Sequence, residues 1–263
     1  MININEKNQN NDYKVNSISS CSSDILNIPF YKYNLENLNL TEITGEAGSG
    51  KTQICLFLIM KTILPKNNSG LGKGCLYIST VQKFSETRFN QFFNYFSDGL
   101  NERDKKISFS RFFSKHLSSS EFEQFFNVEI DNYIVTNKIK TIIIDSITGI
   151  ADTQFIDEKN EINYKERTKF IKCYLKIFKE LILKYNLFFF VTNNVTSNFS
   201  DSGDELKPCL GKLWENGLNT RILLKKEKDL AGNFNRSMKL IFSNYLDMDE
   251  IKFEFNQNGI SFL

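Results

Sequence analysis

The sequence predicts an α/β fold: a mostly parallel central sheet flanked by helices, followed by an antiparallel β meander at the C-terminus. Three observations carry this. Strand-like apolar runs alternate with helical stripes through the first two thirds of the chain. The runs Thr141–Asp145 and Leu187–Thr192 are apolar nearly throughout, as strands covered on both faces are. From Thr220 onward, strands follow one another with no helical pattern between them.

The elements run as follows. Residues 1–23 are rich in Asn and Ser and poor in apolar side chains, which predicts a disordered leader that cannot repay its ordering entropy. The folded domain, residues 24–263, is expected to begin near Asp24–Phe30. Leu40–Thr44 is a short strand, then comes a Gly-rich turn and an apolar helix from Lys51 to about Ile63. Pro65–Gly74 reads as a loop and Cys75–Ser79 as a strand. Phe84, Arg88, Phe89, Phe92, Phe93 and Phe96 recur at helical spacing over Phe84–Phe96. Ile107–Phe113 reads as a strand. Ser118 with Glu121 three residues on is a capping-box start for a helix carrying Phe122, Phe125 and Phe126. After Thr141–Asp145, a stripe of Phe170, Ile171, Tyr174, Leu175, Phe178, Leu181 and Ile182 marks a long helix. Thr220–Lys225, Met238–Ser243, Ile251–Phe255 and Gly259–Phe262 make up the meander, and Asn258-Gly259 signals a hairpin between the last two.

Composition bounds the function. With 263 residues, 41% hydrophobic and 24% charged, the chain can bury one sizeable core. A net charge of +2 excludes a whole-molecule field for nucleic acid, so any DNA contact must be local or shared with a partner. The cysteines Cys21, Cys55, Cys75, Cys173 and Cys209 form no CxxC pair, which argues against a metal or disulfide framework and for reduced thiols in the cytosol or nucleus. The first sixteen residues lack secretory or mitochondrial import features, and no apolar run reaches the roughly 18 residues of a membrane span.

The chemistry sits in Gly45-Glu46-Ala47-Gly48-Ser49-Gly50-Lys51-Thr52, which satisfies G-x-x-x-x-G-K-[ST] between a strand and a helix. Such a P-loop wraps backbone N–H groups around phosphate oxygens. Its Lys51 reaches the β- and γ-phosphates of ATP, and its Thr52 hydroxyl ligates Mg²⁺. A second Mg²⁺ acid belongs at the end of a buried strand, and Ile142-Ile143-Ile144-Asp145 supplies one. The plain alternative is an aspartate that only caps the following loop.

These residues carry a family resemblance. Leu40–Gly45 running into the P-loop and Gln53–Leu56 resembles the RecA/RadA recombinase core, as do Ile144-Asp145-Ser146, Val191–Val195 and Asn219–Leu224. With Pro208–Trp214 added, the chain is most similar to a eukaryotic DNA-repair recombinase paralogue of the X-ray-repair cross-complementing type, over roughly residues 20–263. The resemblance implies a RecA-like P-loop ATPase core, with Gln53 beside the nucleotide. By the same alignment Arg88 stacks on adenine, and Asn194 takes the place of a γ-phosphate-sensing Gln. On helix spacing alone Arg88 reads equally well as a solvated charge. The family's catalytic Glu falls at Val81, which can neither accept a proton nor orient water. Glu86 is the candidate substitute.

By the same resemblance, two loops contact single-stranded DNA. The first here, Gly149–Lys169, is of mixed charge, and the second, Thr196–Lys207, is acidic, so DNA binding by the chain alone has little support. The family's N-terminal helix-hairpin-helix domain finds no room in residues 1–23, so a partner is expected on the core or leader. His116 and the Lys225-Lys226-Glu227-Lys228 cluster suggest no further chemistry. The favoured reading is a nuclear (or also cytoplasmic) paralogue that binds ATP·Mg²⁺. It would pair with another RecA-like chain and meet single-stranded or branched DNA through that complex. An active P-loop motor or kinase, and a scaffold with a vestigial site, are the alternatives.

Overall fold

A computed structural model describes residues 40–153, 155, 163–198, 205–228, 232, 234–243, 250–256 and 259–263. The expected leader and Asn258 lie outside the described residues.

Six parallel strands form the centre of the sheet: β1 (Leu40–Gly45), β2 (Gly74–Ser79), β3 (Phe112–His116), β4 (Ile139–Asp145), β5 (Phe188–Asn193) and β8 (Thr220–Lys228). A small separate hairpin, β6 (Val195–Asn198) with β7 (Glu205–Pro208), follows β5. The antiparallel strands β9 (Phe234–Ser243), β10 (Glu250–Asn256) and β11 (Gly259–Phe262) extend the main sheet from β8. The order is β11-β10-β9-β8-β1-β5-β4-β2-β3, so the predicted mixture of parallel core and terminal meander is what forms.

The apolar strands are apolar because both faces are covered. On one face, α1 (Lys51–Ile63) and α2 (Glu86–Phe96) pack Ile54–Ile59, Phe89 and Phe92 against Ile43, Ile143 and Ile222. On the other, α7 (Tyr164–Tyr185) buries the predicted stripe, Phe178 included, against Phe189 and Val191. Helices α4 (Ser119–Gln124) and α5 (Ile130–Thr136), joined through a π turn at Phe125–Glu129, finish that layer with α6 (Ile147–Thr153).

Strands β8 and β9 are longer than read, to Lys228 and from Phe234, and two further boundaries differ for local reasons. The expected strand Ile107–Phe113 is instead helix α3 (Glu102–Phe109) followed by β3. Asn101 accepts the Asp104 amide at 2.9 Å and Glu102 and Asp104 occupy the first turn, which favours helix; pairing with β2 begins only at Phe112. Helix α2 starts at Glu86 rather than Phe84, because Ser85 is its N-cap. Phe84 precedes that cap and packs on Phe89 with ring centroids 5.5 Å apart, a hydrophobic staple. The capping box at Ser118 and Glu121 is present as read. Among the described residues no helix is long and apolar enough to cross a membrane.

Candidate nucleotide site

The parallel strands β1, β5 and β4 lie side by side, so their carboxyl ends bring Gly45, Asn193 and Asp145 to one edge of the sheet. From Gly45 the chain turns tightly, with Ser49 N donating to Glu46 O at 3.2 Å, and enters α1 at Lys51. Gly48 and Gly50 hold φ of 75° and 112°, the left-handed side of the map that favours glycine. No side chain caps α1, so its first amides and dipole end are left for an anion. Lys51 curls back over the turn, its Nζ donating to Gly45 O at 2.6 Å and Glu46 O at 3.0 Å. Burial pulls its pKa down, against the pull of the Asp145 charge.

Asp145 collects donors from three elements. Thr52 of α1 and Tyr77 of β2 each donate to Oδ2 at 2.7 Å, and Thr192 of β5 donates to Oδ1 at 2.5 Å. Burial, with the neighbouring carboxylate, pushes the Tyr77 phenol far up, so it stays a donor. All three donors are neutral hydroxyls, which leaves the carboxylate charge for a cation. Among the described residues no group of three or more His, Cys, Asp or Glu forms a metal cage. Asp145 with Thr52 therefore fits a hard ion that keeps most of its waters and takes phosphate oxygens, as Mg²⁺ does.

A cleft of about 320 Å³ opens beside the turn, between Gly48, Gly50, Thr52 and Gln53 on one side and Phe255 and Arg236 on the other. Phe255 of β10 lies on Gly50 so closely that an added Cβ would meet its Cζ at 2.1 Å. Arg88 does reach the α1 side of this cleft, donating to Gln53 Oε1 at 2.8 Å. It also bonds Gln91 Oε1 at 2.7 Å and Asn256 O at 3.0 Å, and lies 4.7 Å over Phe92. It thus straps α2 to α1 and β10.

The other predicted positions spread along the same edge. Asn194 is exposed just past β5 and its Nδ2 reaches Thr148 Oγ1 at 3.3 Å. Val81 is 63% exposed beyond β2, beside Gly149. Glu86 opens α2 on an exposed turn, and no hydrogen bond ties it to Asp145 among the described residues. Glu46 and Ala47 form the outer, exposed part of the turn. The only histidine, His116, has Nδ1 3.0 Å from Ser79 Oγ, and no acid is bonded to its ring among the described residues. Among the described residues Cys55, Cys75 and Cys173 are free thiols, and burial raises the pKa of the first two.

Sequence reasoning missed the roles of Tyr77, Thr192, Phe255 and Arg236. Only their places at strand ends on the site's edge could have signalled them. It also missed a second cavity of about 540 Å³ beside helix α8 (Gly211–Glu215), where Lys207, Lys212, Lys225, Lys239 and Arg221 meet with Glu215. These cations come from β7, α8, β8 and β9, and only Lys225 belongs to a run of charge in the sequence.

Residues 14–262 match the Rad51 family. The human DNA repair protein RAD51 homolog 2 is 29% identical over 218 residues, covering 71% of this chain and 55% of that protein. The DNA repair protein XRCC3 homolog of Arabidopsis thaliana is 26% identical over 264 residues, covering 84% and 86%. The DNA repair and recombination protein RadA of Cenarchaeum symbiosum is 27% identical over 228 residues, covering 86% and 54%. The matched part thus spans little more than half the length of the human relative.

Proposed function

The chain belongs to the Rad51 family, and on that premise we propose that it is an ATP-binding recombinase paralogue of homologous recombination and double-strand break repair, working in the nucleus. The observation that carries the reading is the Gly45–Thr52 turn, with Lys51 folded over it and Thr52 bonded to Asp145. In this reading the glycine-rich turn and the first amides of α1 hold the phosphates. Lys51 swings from its two carbonyls onto the β- and γ-oxygens, and Thr52 and Asp145 hold Mg²⁺. Gln53 and the Phe255 side of the cleft flank the base, with Arg88 fixing that wall. Held by Thr52 and Asp145, Mg²⁺ would offset the negative charge of the phosphates. Val81 offers no proton acceptor, so turnover is slow or absent, and nucleotide acts on assembly with another RecA-like chain. The lysine-lined cavity beside α8 is the surface that supports DNA contact within such a complex.

Equilibrium ATP binding measured alongside turnover, with Lys51→Ala as control, tests this. Tight Lys51-dependent binding with negligible hydrolysis is the expected result. Rapid turnover would reopen an active motor. Co-purification with a second RecA-like chain is expected to depend on nucleotide.

A further inference from the structure

Successive side chains of a strand point to opposite faces, so β8 divides the basic cluster Lys225–Lys228, to which sequence alone attaches no chemistry, between two places. Lys225 lines the cavity beside α8. Lys226, half-buried, faces the glycine-rich turn instead: a Cβ added to Gly48 would lie 3.5 Å from its Nζ. Its register partner on β9 is Arg236, which lines the nucleotide cleft together with Gly48, Gly50 and Thr52. Each cation rests on an aromatic ring. Lys226 Nζ lies 3.9 Å from the centroid of Phe234, and the Arg236 guanidinium lies 5.1 Å from that of Phe255.

Like charges directly opposite each other on neighbouring strands are destabilising. Here nothing nearby relieves them. Among the described residues neither Lys226 nor Arg236 forms an ion pair, and Arg236 Nε is buried with no hydrogen bond. On its other side Arg236 meets Phe253 of β10, which offers it no acid. The two cations therefore cost the free chain stability. They also stand at a turn whose amides and Lys51 already favour an anion, where a bound polyanion would offset their repulsion.

We propose that Lys226 and Arg236 are phosphate-binding residues of the nucleotide site, reaching the polyphosphate from the β8–β9 side of the cleft. This rests on the nucleotide reading above and adds to it a second source of positive charge within the same chain. Because the attraction grows with the charge of the ligand, the pair favours ATP over ADP and ADP over AMP.

Equilibrium dialysis of the full chain with labelled ATP, ADP and AMP, run beside urea melts of the ligand-free protein, tests this. Lys226→Met keeps an unbranched apolar stem against Phe234 and removes the charge. It is expected to weaken ATP binding by about 5- to 30-fold, ADP binding less and AMP binding least, while the urea midpoint of the free protein does not fall. Arg236→Met is expected to act on binding in the same order, and Lys226→Arg, which keeps the charge, to bind ATP as the wild type does. Unchanged ATP affinity in Lys226→Met would overturn the proposal. So would an equal loss for all three nucleotides, or a loss that comes with a lowered urea midpoint. Should Arg236→Met fail to fold, Lys226→Met decides alone. Absence of Lys51-dependent ATP uptake in the wild type would overturn the nucleotide reading and this proposal together, so the two failures are told apart by the wild-type control.

Discussion

Asp145 and Glu42 are both carboxylates on parallel strands of one sheet, and the fold treats them in opposite ways. Asp145 sits at the carboxyl end of β4, where three hydroxyls donate to it and, among the described residues, no basic side chain forms a hydrogen bond to it. Glu42 sits in the middle of β1, where Arg221 and two further N–H donors take up its charge. A sheet's interior tolerates a charge only when it is paired on the spot. Its edge leaves a charge unpaired and available to a ligand. The contrast separates an acid that serves the architecture from one that can hold a metal ion.

The largest effect that would break this contrast is on stability. Glu42→Ala leaves Arg221 buried without its main partner and is expected to cost about 3–5 kcal/mol in urea denaturation. Asp145→Asn should change stability by about 1 kcal/mol or less. Equal losses would erase the distinction. Next is Lys51→Ala, which is expected to weaken ATP binding by about 2–3 kcal/mol, or roughly 30- to 150-fold, with the fold intact. In the same dialysis assay, Asp145→Asn should remove the Mg²⁺-dependent part of the affinity.

Smaller effects sharpen the picture of the edge. Gly50→Ala places a Cβ 2.1 Å from Phe255 Cζ at a φ of 112°. It should destabilise by about 1–3 kcal/mol. Adding Phe255→Ala should recover only the steric share, leaving the backbone strain. Tyr77→Phe removes one donor from Asp145 and is expected to cost about 1 kcal/mol. Burial keeps the folded Tyr77 phenol protonated while the unfolded phenol ionises at pH ~10, so the wild type loses stability above that pH and the cost of Tyr77→Phe should shrink there, as a pH series of urea melts would show.

Much of this was legible in the residues themselves. The run Gly45–Thr52 encodes its own turn, because glycines at Gly48 and Gly50 permit the positive φ values and nothing distant is needed to specify them. The stripe on α7 and the capping box at Ser118 are likewise local, and both stand as read. Ile107–Phe113 was misread for the converse reason. Its apolar pattern suits a strand, but the Asn101 cap upstream and the late start of pairing with β2 decide where helix ends and strand begins.

What the sequence by itself determined is whatever depends on neighbours in the chain: turn chemistry, caps, the period of apolar side chains and the order of elements. Tertiary structure alone decided which side chains answer one another across 68 residues, as Tyr77 and Asp145 do, or across 179, as Glu42 and Arg221 do. The physical reason is that a charge is judged by the dielectric and the partners around it, and a strand's place in a sheet sets both. Glu42 reads in sequence as one acid in a short strand, and only the pairing of β1 between β5 and β8 makes it the buried centre of a network.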